Sequence, residues 1–271
     1  MKILLTGHKG NLGTSLRERG PLIEWCGIGR ENWQDLRKNL QGVTTVLHTA
    51  SDVLVSPRDF PLDFIRNNIA LTAELLEAMR DNNVKKLFFT SSCAVYGDSQ
   101  ITKEIAHPTP LTLNGISKYL NEKMIEEFCV KNGIEFVIFR LFNIFGGKDR
   151  FSIVSRLQNA CQKNLPFTLF NEGLSQRDFV HVNDAADLIL RVIELGKTSP
   201  KVLNIGSGQP VKIAELAKTV QNRFPKLKIE FAHREEAEYS RAQTDLLRQT
   251  IGNFSTISVL DFLKDWSASS H

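Results

Sequence analysis

The chain alternates short, evenly apolar runs with longer stretches in which apolar residues recur at helical spacing. "KILLTG", "LIEWCGIG", "TTVLHTAS", "KKLFFTSS" and "EFVIFRLF" predict strands, because each is a brief apolar run bounded by polar or small residues. Residues 12–19, 60–80 and 117–131 predict helices between them; in the second, Phe64, Asn68, Leu71, Leu75 and Met79 fall on one face. Strands with no wet face belong to a parallel sheet covered on both sides, and strand–helix alternation of this kind predicts a doubly wound α/β sheet. After Gly146-Gly147 the pattern loosens. Residues 151–163, 183–195 and 213–223 read as helices, "KVLNIGSG" and "LKIEFAH" as strands, "LPFTLFNEGLSQRDFVHV" as strand and loop, and the rest as short polar chain. The expected organisation is a sheet domain of residues 1–146 with about 178–206, and a smaller C-terminal α/β cap of about 147–177 with 207–271.

With 271 residues, of which 42% are hydrophobic, the chain can bury a sizeable core. It has no apolar run of membrane-spanning length, and Met1-Lys2 leads straight into the first strand without a signal-peptide layout. The expectation is a soluble cytoplasmic protein with no membrane partner. The net charge of +4 comes from scattered basic residues, which argues against nucleic acid and suits an anionic small molecule. The four cysteines, Cys26, Cys93, Cys129 and Cys161, form no CxxC pair and have no histidines at metal spacing, so reduced thiols are expected and no metal.

The stretch "TGHKGNLG" ends the first strand and starts the first helix, with Gly7, Gly10 and Gly13 three residues apart. Such a loop needs one glycine for the tight turn, one for close approach of backbone to phosphate and one for helix–strand packing. The helix N-terminus behind it presents free N–H groups to a pyrophosphate. Lys9, Asn11 and Leu12 belong to this dinucleotide loop. An acidic residue at the end of the second strand would bind a ribose 2′-hydroxyl; here the strand ends "GIGREN", with Arg30 near that place. Lys9 and Arg30 together favour NADP(H), while the adjacent Glu31 keeps NAD open as the alternative. Asp35 and Leu36 come next and are expected beside the adenine.

From here the sequence resembles the extended short-chain dehydrogenase/reductase family, the NAD(P)-dependent nucleotide-sugar epimerases, dehydratases and reductases. The resemblance runs over nearly the whole chain: "TGHKGNLG", "VLHTAS", "NNIALTAELLEAM" with Asn68, "SSCAVYGD", "RLFNIFG", "RDFVHVND", "LNIGSGQPVKIAEL", and "HREEAE" followed by "TD" stand in the family's order. It implies a Rossmann sheet, Ser92 as the active-site serine, and Lys118 as the lysine that bonds the nicotinamide ribose. It also implies Asn143 as a substrate contact and Arg177 and Arg234 as a clamp on the diphosphate of a nucleotide sugar, a contact that suits the planar guanidinium. For each arginine a structural salt bridge is the competing reading, and Asp178 could supply one to Arg177. The loop beginning Gly-His and the triplet Ser91-Ser92-Cys93 look like the GDP-fucose synthase branch, whose cysteine takes part in proton transfer; Cys93 is therefore a candidate, or a small buried strand residue. His181, in "FVHV", stands where the family has a structural strand residue. The family also implies a homodimer through helices 60–80 and 117–131.

One position departs from the pattern. The family's catalytic tyrosine stands four residues before its lysine, on the same helix face, and its acidity is raised by that lysine and by the cofactor's positive charge. Here that position is Asn114, in "LTLNGISKYLNEK". An amide donates and accepts hydrogen bonds but does not titrate near neutrality. Tyr119 lies about 140° further round the helix and points elsewhere; Tyr96 is a tyrosine in the family anyway. Three accounts remain open. The protein is a 4-keto reductase or epimerase with another proton donor, namely Cys93, a water held by Asn114 and Lys118, or a group on the substrate. Or it is a catalytically silent member that binds cofactor and nucleotide sugar. Or it carries a disabling tyrosine-to-asparagine change.

Overall fold

The computed structural model describes residues 1–52, 62, 65–99, 102–196 and 198–267. Its main sheet is parallel and is built from β1 (Lys2–Thr6), β2 (Glu24–Ile28), β3 (Thr45–His48), β4 (Lys86–Ser92), β5 (Glu135–Leu141) and β9 (Val202–Ile205), in the order β2-β1-β3-β4-β5-β9. This is a doubly wound Rossmann-type sheet whose order reverses at β1 and β3, so the ligand crevice is expected beyond the carboxyl ends of those two strands.

Alternate residues feed two separate cores, which explains the lack of a wet face. Ile3, Leu5, Leu47, Phe88 and Phe139 pack against α1 (Asn11–Arg19) and α6 (Val182–Glu194). Leu4, Val46, Leu87, Phe89 and Ile138 pack against α3 (Leu71–Asp81) and α4 (Leu113–Asn132), after the short α2 (Leu36–Asn39). The helix expected over 60–80 is continuous from Ile65, its first turn a π-helix over Ile65–Ala70; its start, including Phe64, lies outside the described residues. Helix α4 begins four residues before the expected Ser117. Thr112 caps it, its side chain accepting from the Gly115 N–H, and this places Asn114 in the first turn.

The remaining elements form a second layer. Strand β8 (Gln176–His181) pairs with β6 (Asn143–Phe145), β10 (Pro210–Lys212) and β12 (Tyr239–Ser240), and β7 (Phe167–Phe170) pairs with β11 (Ile229–Ala232). Phe145, Leu157, Phe179, Leu216, Val220 and Leu263 make a third core between these strands, α5 (Ile153–Lys163) and α7 (Ile213–Arg223). The tail expected as short polar chain contains two more helices, α8 (Asp245–Ile251) and α9 (Val259–Asp265). Each is seven residues long and buries one or two side chains, Leu247 in one and Val259 and Leu263 in the other. That is too little periodicity to stand out in a window of about 11–18 residues.

Candidate active site

At the carboxyl end of β1 the glycine loop is tightly wound. Gly7 has φ +70°, and a Cβ there would lie 2.9 Å from the Ala50 nitrogen after β3. A Cβ on Gly13 would lie 2.3 Å from the Gly7 carbonyl oxygen, so α1 could not pack where it does. A Cβ on Gly10 would meet only the loop's own Gly7 oxygen, at 3.1 Å; beyond that the space in front of the helix is open. These are the three separate demands that a dinucleotide pyrophosphate makes on such a loop, and the residues present fit one. Leu12 turns away into the core under α1.

The two cations that favour NADP(H) both have carboxylate partners. Lys9 Nζ pairs with Glu31 at 2.5 Å, and Arg30 pairs with Asp52, whose other oxygen accepts from Asn67 at 2.6 Å. Lys9 holds the Glu31 carboxyl below its ordinary range. Asp35 is exposed and its carbonyl accepts from Asn39, while the Leu36 side chain is buried among Leu4, Ile28 and Val46. A 3₁₀ segment, Arg30–Asp35, carries the chain from β2 to that leucine.

Asn11 is the first residue of α1. Its side-chain amide donates to the Gly146 carbonyl at 3.0 Å and accepts from the Lys148 N–H at 2.7 Å.

A buried polar chain lies behind the crevice. Thr6 Oγ1 accepts from the Thr49 and Ala50 N–H groups and bonds His48 Nδ1 at 2.7 Å; His48 Nε2 meets Thr72 at 3.0 Å. Burial, with the Lys118 charge adding, pushes His48 down to about 3, so it is neutral. Asn68 ties the end of β3 to α3, its side chain accepting from the Asp52 N–H at 2.7 Å.

At the end of β4, Ser92 caps a 3₁₀ turn, Cys93–Tyr96, its hydroxyl accepting from the Ala94 N–H. Helix α4 sits against this turn; a Cβ on Gly115 would lie 2.5 Å from the Ala94 oxygen. Lys118 is 5% exposed and donates to the Thr90 carbonyl at 2.7 Å, with its ammonium 4.9 Å from the centre of the Phe89 ring. Burial pushes it down to about 8, against the pull of Glu122. One turn earlier, the Asn114 Oδ1 is buried without a hydrogen-bond partner among the described residues. Cys93 is half-buried, and burial pushes its thiol up to about 11. Tyr96 is out of play: its hydroxyl donates to Asn204 at 2.8 Å, and burial pushes it up to about 12.

Asn143, Arg177 and Arg234, drawn from three distant motifs, line one cavity of about 260 Å³ with Phe151, Phe170 and Glu236. Asp178 does not supply the salt bridge to Arg177. Its fully buried carboxylate accepts from Ser207 N, Ser207 Oγ, Gly208 N and Ala242 N at 2.7–2.8 Å, and burial still raises its pKa. Arg177 instead donates to the Gln176 and Ala237 carbonyls, and burial lowers its pKa against the opposing pull of Glu236. Arg234 packs 4.1 Å over the Phe170 ring and bonds Glu236 at 2.6 Å. Burial alone would raise Glu236, but the Ser175 hydroxyl and Arg234 outweigh it and hold the carboxyl low. Ser240, paired with Arg177 across β12 and β8, also reaches the Cys93 sulfur at 4.0 Å, which links the cavity to the end of β4. His181 caps α6, as a structural residue would, accepting from the Asn183 N–H. Sequence reasoning missed Asp52, Glu236 and Phe170; none stands at a telling spacing, and only their contacts single them out.

Residues 3–206 match the NAD dependent epimerase/dehydratase family, and the chain belongs to that family. It is 30% identical over 247 residues to a putative UDP-glucose 4-epimerase of Methanocaldococcus jannaschii, covering 88% of this chain and 75% of that protein. It is 30% identical over 223 residues to a UDP-glucose 4-epimerase of Azospirillum brasilense, but those residues are only 64% of that longer protein. A GDP-L-fucose synthase of Escherichia coli is a more distant relative, 24% identical over 258 residues, with 81% and 80% of the two chains covered. Among solved structures, the UDP-glucuronic acid 4-epimerase of Bacillus cereus in complex with UDP-glucuronic acid and NAD superposes with a TM-score of 0.88 at 25% identity, over 97% of each chain. No helix among the described residues is long and apolar enough to cross a membrane.

Proposed function

We propose that the protein is a nucleotide-sugar 4-epimerase that holds NAD at the glycine loop and a UDP-hexose in the cavity, with Lys118 in place of the missing tyrosine as the proton carrier. The observation that carries the reading is the convergence of Asn143, Arg177 and Arg234 on one cavity linked to the end of β4. NAD supplies a reversible hydride acceptor. With NAD bound, Lys118 Nζ would take the proton of the sugar 4-hydroxyl as that carbon is oxidised, and would return it to the same oxygen when the 4-keto sugar is reduced on its other face. Lys118 suits the task by elimination. Of the titratable groups named around Ser92, His48, Cys93 and Tyr96 are held far from neutrality and Lys118 is brought near it. Ser92 would hold the sugar oxygen, and the Asn114 side-chain amide would orient it. NAD rather than NADP(H) is supported by the paired state of Lys9 and Arg30: a 2′-phosphate would have to displace Glu31 or Asp52. The homodimer expected from the sequence is supported by Ile65, Leu113, Ile116 and Leu120, which leave an exposed apolar strip on the two helices concerned.

The test is incubation with NAD and UDP-glucose or UDP-glucuronic acid, with chromatographic separation of the 4-epimers. Formation of the epimer is expected. If NAD and UDP both bind but no epimer forms, the protein is a silent binder; Asn114→Tyr then shows whether the acid alone is missing. Failure of both ligands to bind sinks the proposal. Arg177→Ala is expected to raise the UDP dissociation constant about 10- to 100-fold, on the ~1.5–3 kcal/mol of a charged hydrogen bond. Isothermal titration with UDP checks it.

A further inference from the structure

Asn11 is the first residue of α1, where its own N–H faces the place of the pyrophosphate. Its side chain reaches across the molecule to residues 146–148. With one amide group it satisfies both the Gly146 carbonyl, at 3.0 Å, and the Lys148 N–H, at 2.7 Å. A carboxamide carries its donor and its acceptor on separate atoms of one planar group, so it can serve two backbone groups at once. The segment it grips is shaped for that contact. Gly146 and Gly147 have φ of +82° and +63°. A Cβ on Gly147 would lie 2.6 Å from Asn11 Oδ1, and one on Gly146 would lie 2.2 Å from His181 Nε2. The connection from the main sheet to the second layer is thus pressed between Asn11 and His181.

From this grip a run of local hydrogen bonds leads to the substrate cavity. Asp149 Oδ1 accepts from the Phe151 and Ser152 N–H groups at 2.9 and 3.1 Å. Ser152 caps α5, accepting from the Ser155 N–H at 3.2 Å. Phe151, Ile153 and Arg156 then stand in the cavity wall.

We propose that Asn11 is a positioning residue that couples the two binding sites, so that dinucleotide and nucleotide sugar bind with positive cooperativity. The inference rests on the functional reading above. A dinucleotide packed against the start of α1 restrains Asn11. Asn11 restrains residues 146–148, and through Asp149 and Ser152 it restrains the wall against which the sugar nucleotide packs. The second ligand then finds a wall already ordered and loses less freedom in binding. Linkage makes the effect reciprocal, so either ligand tightens the other.

The experiment is calorimetric titration of the full chain with UDP, with and without saturating NAD, and with NAD, with and without UDP. It is run on wild type, on Asn11→Leu and on Asn11→Asp, which keeps an acceptor for Lys148 and loses the donor for Gly146. The ratio of dissociation constants divides out any direct change in binding either ligand. Wild type is expected to show a ratio of roughly 5 or more, equal in both directions; the variants should bring it close to one. Hydrogen exchange of residues 146–156 should slow on NAD addition in wild type and not in the variants. Ligands that bind wild type with a ratio of one, or a ratio unchanged by both substitutions, overturn the inference and leave the functional reading standing. Failure of wild type to bind either ligand fails both.

Discussion

Lys118→Met should lower epimerase turnover by about 10²- to 10⁴-fold, the usual cost of losing a general acid–base group. Lys118→Arg should do nearly the same while sparing much of the NAD binding. An arginine keeps a positive charge and N–H donors for a ribose but does not release its proton in the working range. In a site where a tyrosine carries the proton, an arginine could take over much of the lysine's electrostatic work; here the tyrosine position is Asn114, which cannot titrate. The pH profile gives a second reading. To take the sugar's proton Lys118 must be neutral, and burial brings its pKa down to about 8. Therefore kcat/KM should rise with pH and level off above about 8, falling on the acid side as the ammonium becomes the resident form. Full turnover in Lys118→Arg, or a profile that is flat through that range, would remove Lys118 as the carrier and turn attention to Cys93 or a bound water.

The largest stability effect is expected at Arg140. Its guanidinium is bidentate to Glu122, at 3.0 and 2.7 Å, with both side chains about 95% buried. Glu122 also accepts from the Ser91 hydroxyl at 2.5 Å, and Arg140 stacks 4.8 Å over the Tyr96 ring. The pair joins β4, β5 and α4 directly beneath Ser92 and Lys118. Arg140→Met leaves the Glu122 charge enclosed with one hydroxyl donor, at a cost of about 3–5 kcal/mol. Urea denaturation should show it as a lower midpoint with an unchanged slope. Adding Glu122→Leu should recover much of the loss, because a well-packed apolar pair of similar volume often equals a buried ion pair. A single-variant loss of under about 1 kcal/mol, the level of an exposed pair, would mean that water reaches the site.

How much of this was legible beforehand can be judged residue by residue. The strands of the main sheet, the glycine loop, and the setting of Asn114 one turn before Lys118 were all readable, since each is a matter of spacing along a single element. The two short helices of the tail were not, having too few buried positions to leave a period. The carboxylate partners of Lys9 and Arg30, Glu31 and Asp52, are visible only in the folded chain.

By itself, then, the sequence determined the order of the main-sheet strands, the glycine loop after β1 and the amide at position 114, because these depend on side-chain type and local periodicity. The tertiary structure alone decided which groups face one another. It paired Lys9 and Arg30 with carboxylates and turned Asp178 away from Arg177 toward the backbone of Ser207, Gly208 and Ala242. It buried Lys118 deeply enough to bring it near neutrality, and it joined Asn11 to Gly146 across 135 residues of chain. Desolvation and long-range pairing depend on how the layers pack, and no spacing within one element carries that information.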